Sequence, residues 1–220
     1  MISVAVRRVT LGLVSTSEQL FQQWAEGDAR AGSELFDRHF AELFRFFRNK
    51  APEAVEDLIQ ETFLACVRSR ATFRGDASFR TYVFTIARHE LYAHFERTRR
   101  RVGDTELGSL SVADLGTSPS LALVKRRDLN LLLRALRALP LDLQVALELH
   151  YFEELDGPDI AAILGVPEGT VRSRLRRAKD IMRETLATAA APGDEEALSA
   201  SQSDLDGWAR GVKDAFDDRE

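Results

Sequence analysis

Apolar residues recur at helical spacing along most of the chain, and no segment alternates apolar and polar with the period of a strand. The spacing predicts a short helix over Glu18 to Trp24. A longer one follows over Ala31 to Arg48, with Leu35, Phe36, Phe40, Leu43, Phe44 and Phe47 on its apolar side. Pro52 fits a first helical turn, where its missing N–H costs nothing, and Glu53, Glu56 and Asp57 suit the positive end of the helix dipole. That helix continues through Leu58, Ile59, Phe63, Leu64 and Val67, and a fourth runs from Ser78 to Arg97 with Phe79, Tyr82, Val83, Ile86 and Phe95. The pattern then breaks. Val102 to Ser120 is rich in Gly, Ser, Thr and Asp and reads as a linker. Helical spacing resumes over Leu121 to Leu139, Pro140 to Phe152, Asp156 to Leu164 and Pro167 to Leu186. Residues 189–203 carry few large apolar side chains. Leu205, Trp208, Ala209, Val212 and Phe216 form a last helical stripe among acids. The expectation is an all-α chain of two helical domains joined by a flexible linker.

Charge changes this picture only locally. The 220 residues sum to a net charge of −5, which taken alone argues against nucleic acid. Charges are felt over a Debye length of ~8–10 Å, so patches matter more than the sum. Arg68, Arg70, Arg74, Arg80, Arg88, Arg97, Arg99, Arg100 and Arg101 face only Asp76, Glu90 and Glu96 in the first domain. Arg172, Arg174, Arg176, Arg177, Lys179 and Arg183 face only Asp180 near the end of the second. The acids of residues 194–220 offset both in the total. The single cysteine, Cys66, lies in an apolar helical run and reads as a core residue with no disulfide partner. No run reaches the ~20 apolar residues of a membrane span, and Met1 to Val14 lacks a signal-peptide core; a cytoplasmic protein is expected.

The second basic patch sits on a motif. Asp159 to Leu164 is a short helix with small Ala161 and Ala162 for close approach. Gly165 follows, where a chain leaving a helix commonly needs positive φ, and Val166 plugs the space between two helices. Pro167 and Glu168 start the next helix. On that helix Val171, Leu175, Ala178 and Met182 fall within about 60° of one another and pack inward. Gly169, Ser173, Arg176 and Asp180 point the other way, flanked by Arg172, Arg183 and Arg177. This is a helix-turn-helix whose second helix suits a major groove: arginine bonds guanine bidentately, and Gly169 permits close approach.

Leu139-Pro140, Gly157 to Ala161 and Leu164 to Ala178 together resemble the C-terminal domain of bacterial extracytoplasmic-function sigma factors of the RNA polymerase sigma-70 family. Two N-terminal stretches, Asp57 to Leu64 and Phe73 to Arg88, resemble that family's core-polymerase-binding and promoter-melting segments. The resemblance spans about Glu18 to Leu186. It implies an extension at 1–16, a core-binding and melting domain at 17–101, a linker at 102–120, a helix-turn-helix domain of four helices at 121–188 and an acidic extension at 189–220. It implies that Asp57, Leu58, Gln60, Glu61 and Phe63 dock on the clamp of the polymerase's largest subunit. The polar members would meet basic partner residues, whereas Leu58, Ile59, Phe63 and Leu64 are core residues in any case. Phe73, Arg74, Gly75, Asp76, Ser78, Arg80, Tyr82 and Arg88 would handle the minus-ten element, with a base flipped into the loop. Flipping costs a few kcal/mol that stacking and hydrogen bonds must return. Tyr82 is either a stacking wedge or a buried helix aromatic; both readings stand at this point. Arg88, Arg97, Arg99, Arg100 and Arg101 would grip backbone phosphates. Gly169, Thr170, Arg172, Ser173, Arg176 and Arg177 would read the minus-thirty-five element, with Arg172, Ser173 and Arg176 as the leading base readers. His89, Ala93, Ala65 and Cys66 depart from residue types frequent in the family. The implied partners are core polymerase, promoter DNA and an anti-sigma factor.

The enzyme readings fail on spacing. His89-Glu90 with His94 superficially resembles a zinc-protease helix, but five residues place the histidines about 140° apart, not on one face. No phosphate loop or nucleophile elbow is present, so no catalytic residue, metal or cofactor is expected. The alternative to a sigma factor is a stand-alone helix-turn-helix regulator, which needs neither Asp57 to Leu64 nor the Phe73 to Phe79 loop. For the tail, an acidic amphipathic helix docking on a basic surface of the same chain stands beside a merely solubilising extension.

Overall fold

A computed structural model describes residues 16–73, 75, 77–99, 108, 110–112 and 127–189. Within them lie α1 (Ser17–Ala25), α2 (Ala29–Arg48), α3 (Val55–Ser69), α4 (Phe79–Arg99), α5 (Arg127–Arg137), α6 (Leu141–Tyr151), α7 (Gly157–Leu164) and α8 (Glu168–Ala189), with no strand. The expected helix at 205–216 and the expected helical residues 121–126 fall outside the described residues.

Helix boundaries follow local chemistry. Thr16 and Gln19 cap α1 reciprocally, side chain to backbone in both directions. The Asp28 carboxylate accepts from the amides of Arg30 and Ala31 to start α2. Pro52 opens a 3-10 turn, Pro52–Ala54, and α3 proper begins only at Val55. Asp156 caps α7 by accepting from Asp159 N, and Gly165 ends it at φ 65°, in the left-handed region. Gly32 lets α1 lie on α2: a Cβ there would sit 2.5 Å from Cδ1 of Trp24.

The N-terminal core packs Leu35, Leu43, Phe46 and Phe47 of α2 against Leu58, Ile59 and Cys66 of α3 and Phe79, Val83, Phe84 and Leu91 of α4. Burial pushes the Cys66 thiol up to about 12, so it is inert packing. Three expected placements are corrected. Phe40 is 47% exposed and Leu64 42%, because both line the open groove on α2 and α3. Ala162 is exposed, leaving Ala161 alone to pack at the turn.

The two halves are not held apart. Leu141, Val145, Ala146, Leu149, Ile160 and Ile163 belong to the same buried cluster as the N-terminal core, and α7 packs on α4. A second cluster joins α5, α6 and α8 through Leu136, Leu139, Leu143, Leu147, Ala178 and Met182. Part of the expected linker is docked too. Val112 is buried, Leu110 O accepts from Leu141 N, and Ser111 bridges to Pro140.

Candidate nucleic-acid and polymerase interfaces

The second helix of the helix-turn-helix, α8, buries Val171, Ala178 and Met182 completely and Leu175 partly, as the stripe requires. Gly169, Arg172, Ser173, Arg176 and Arg177 are exposed and Thr170 is half-buried. Glu168 pairs with Arg172 at 3.3 Å, and the Ser173 hydroxyl donates to Thr170 O at 2.8 Å. Arg174 is different: it turns inward to Asp142 at 2.6 Å.

The loop before α4 is tied to the first domain's aromatic core. The Phe73 ring meets Phe21 at 4.7 Å and Tyr82 at 4.4 Å. Gly75 holds φ 75°, the turn expected there. Ser78 caps α4, its hydroxyl oxygen accepting from Thr81 N at 3.0 Å. Arg74 and Asp76 lie outside the described residues. Tyr82 is half-buried, with its hydroxyl 2.6 Å from Ser69 Oγ and its ring also near Phe79. Burial, against that hydrogen bond, raises its phenol above the usual range. Arg88 lays its guanidinium over the Tyr92 ring at 4.6 Å.

On α3, Asp57, Gln60 and Glu61 are exposed, whereas Leu58 is 2% exposed and holds the helix down. Phe63 is half-buried, stacked on Phe36 at 4.4 Å. What reaches solvent is the neighbouring row: Leu64, Val67 at 49% and, across from α2, Phe40. These line an apolar groove of about 370 Å³ with Phe36, Ile59 and Phe63, with Glu56 and Gln60 on its edge.

The face of α4 carrying Thr81, Arg88 and Tyr92, at i, i+7 and i+11, meets the second domain. Thr81 Oγ1 donates to Asp159 at 2.7 Å, and the Tyr92 hydroxyl donates to Asp142, which also holds Arg174. Lys50 is wholly buried. It donates to Glu148 of α6 and to Phe46 O, and its ammonium sits 4.0 Å from the Phe46 ring centroid. Glu148 also accepts from Asn49 Nδ2 at 2.7 Å and Gln144 Nε2 at 2.8 Å, while Arg137 clamps Asn49 Oδ1 at 2.9 Å. Burial pulls the Lys50 ammonium below its ordinary value, with Glu148 opposing. Glu153, just past α6, takes Arg45 Nε and Nη2 on its two oxygens at 3.3 and 3.1 Å, and Arg80 Nη2 at 3.2 Å. Arg80 Nε pairs with Glu42 at 3.0 Å, and Glu42 in turn bonds His39. Burial raises the Glu153 carboxyl, although Arg45 and Arg80 oppose it.

None of Arg45, Lys50, Glu148 and Glu153 was marked by the sequence pattern. One signal existed: the apolar residues of α6 spread around most of the helix, and such a helix is buried on most of its sides. Gln144 and Glu148 inside it therefore had to find partners.

Comparisons with known proteins bear on both halves. The family model for sigma-70 region 2 matches residues 35–101, and the one for sigma-70 region 4 matches residues 129–182. The RNA polymerase sigma-H factor of Pseudomonas aeruginosa is 32% identical over 181 residues, covering 77% of this chain and 93% of that protein. The ECF RNA polymerase sigma-E factor of Escherichia coli is 28% identical over 175 residues, 75% of this chain and 91% of that one. Among solved structures, the sigma factor RpoE bound to the anti-sigma factor NepR from Bartonella quintana superposes with TM-score 0.57 at 23% identity, covering 72% of this chain and 98% of that one. CnrH bound to the cytosolic domain of CnrY gives 0.55 at 24%, covering 78% and 97%. With both domains matched in order and a relative of that identity covered nearly end to end, the chain belongs to the extracytoplasmic-function sigma factors of the RNA polymerase sigma-70 family.

Proposed function

We propose how this sigma factor divides its work. Residues 17–101 bind core polymerase and the minus-ten element. Residues 121–188 read the minus-thirty-five element, and 102–120 connect them. The carrying observation is that one chain presents an arginine face on α8, an aromatic-backed loop at the head of α4 and an exposed apolar groove on α2 and α3. A stand-alone regulator has no use for the last two. The groove, with Asp57, Gln60 and Glu61 beside it, takes the polymerase clamp through Leu64, Val67 and Phe63, with Leu58 buried as the support beneath. The loop and Tyr82 accept the unpaired strand. The chain supplies no covalent chemistry and acts in the bacterial cytoplasm; no described helix is long and apolar enough to cross a membrane.

The two DNA-reading bodies touch in this structure, Thr81 to Asp159 being one of the contacts. Elements centred near minus ten and minus thirty-five lie about 85 Å apart along B-form DNA, at 34–36 Å per turn. The chain must therefore open to engage both. Residues 100–126, fully extended once Leu110 to Val112 leave Pro140 and Leu141, reach about 90 Å, enough to permit it. An anti-sigma factor, as in the two solved relatives, would act by holding such a chain away from polymerase and promoter. For residues 189–220, truncation after Thr188 tests the docking reading: unchanged promoter binding and transcription remove it.

The experiment is transcription. The purified chain added to core polymerase should direct initiation from discrete start sites on a library of genomic fragments. A footprint on duplex DNA by the chain alone, with no initiation in the presence of core enzyme, refutes the proposal.

A further inference from the structure

We propose that Arg45 and Arg80 form a phosphate-binding site for the single-stranded promoter strand, and that Glu153 occupies this site as an internal stand-in for the phosphate while the two domains are closed. The inference rests on the promoter-melting role proposed above for α4.

The geometry carries it. Two guanidiniums, one from α2 and one from α4, converge on a single carboxylate delivered by the other domain. Arg45 places two N–H groups on the two oxygens of Glu153, and Arg80 adds a third on one of them. This fork around a planar anion is the arrangement guanidinium groups use equally for carboxylate and phosphate. Both arginines belong to the first domain; the acid that joins them does not.

Opening therefore removes one component only. Glu153 leaves with α6, while Arg45 and Arg80 stay where α2 and α4 fix them. Glu42 remains as well, against Arg80 Nε and His39. With Arg45 and Arg80 set against Glu42, the vacated site keeps a net positive charge, which suits a phosphodiester. Its position fits the ligand. Arg80 stands two residues beyond Ser78, which caps α4 at the end of the loop proposed to take the flipped base. A phosphate bound here would anchor the strand next to that base without reading sequence. Held by the fold at an effective concentration of the order of mM or above, Glu153 excludes weakly binding polyanions from the closed chain.

The test uses the full-length chain and a short fluorescein-labelled single-stranded oligothymidylate, read by anisotropy across a salt series. E153Q removes the competing charge and should bind about tenfold tighter than the parent. R45Q breaks the same interdomain contact but removes half the site, so it should bind no tighter than the parent. The double variant R45Q/E153Q should lose the E153Q gain, and its slope of log affinity against log salt should be smaller than that of E153Q by about 0.7, one phosphate contact to a single strand. R45K, which keeps the charge and loses the fork, should fall between. Unchanged helical circular dichroism establishes that each variant is folded. An E153Q protein that binds no tighter overturns the proposal. So does a gain that survives in R45Q/E153Q, because opening would then have exposed some other surface. The readout needs no polymerase, so failure of the transcription experiment would show separately, as a parent chain that binds oligonucleotide but initiates nothing.

Discussion

The Lys50–Glu148 pair allows a quantitative test of how the two domains are joined. Lys50 is 0% exposed and Glu148 2%, and they come from opposite halves of the molecule. E148A would leave the ammonium without its hydrogen-bonded carboxylate, and would also strip Asn49 Nδ2 and Gln144 Nε2 of their acceptor. Breaking a buried pair by removing one partner costs about 3–5 kcal/mol, because an uncompensated charge remains. With a urea slope of roughly 2 kcal/mol/M, the unfolding midpoint should fall by about 1.5–2.5 M. K50M should also destabilise, but less, since Asn49 and Gln144 still donate to the carboxylate. The double variant K50M/E148Q removes both charges at nearly constant volume, and such exchanges are often neutral or stabilising by about 1–4 kcal/mol. Its midpoint should return to the parent value or above. Urea titrations followed by circular dichroism and tryptophan fluorescence compare the parent with E148A, K50M and K50M/E148Q. A loss below about 1 kcal/mol for E148A, or a double variant no better than E148A, would mean that the ammonium is hydrated and that the domains do not close on it.

Two further outcomes follow from the geometry. L64D places a charge in the apolar groove between α2 and α3 and should weaken core-polymerase binding at least tenfold in a pull-down titration, while α8 binding to duplex DNA is unchanged; equal core binding would move the clamp contact elsewhere. R176A, from the exposed face of α8, should cost about 1–3 kcal/mol in binding to the cognate minus-thirty-five duplex and relax preference at one base pair, read by competition with single-base variants.

Much of this was legible in the sequence because local rules coincided. Gly165, Pro167 and the Val171, Ala178, Met182 stripe each specify the same turn and helix by independent physics, so the helix-turn-helix emerged with its exposed arginines correctly placed. Phe40 and Leu64 misled the apolar-stripe reading, since an amphipathic pattern records which residues are hydrophobic and not which face is left for a partner. Leu58 lies at the right place in the motif but beneath the surface that a partner would touch. The interdomain charges were invisible for a different reason. Arg45 and Glu153 are 108 residues apart and Lys50 and Glu148 are 98 apart, and nothing local to either residue marks its partner. An isolated charge on a helix looks the same whether it ends in water or in another domain.

The chemistry chosen for the interface bears on how a sigma factor can be both closed and ready to open. Apolar area removed from water is worth about 25 cal/mol per Å², and all of it is lost when the surfaces part. Charges behave otherwise: the attraction gained on closure is largely spent on desolvation, so on separation Lys50, Glu148, Arg45, Arg80 and Glu153 recover hydration that offsets much of what they lose. A contact built partly from such pairs specifies one docking geometry, because each charge is tolerated only where its partner sits, yet adds little to the free energy of opening. On the division of work proposed above, polymerase and promoter would supply that free energy through surfaces the closed form leaves available, the groove on α2 and α3 and the arginine face of α8.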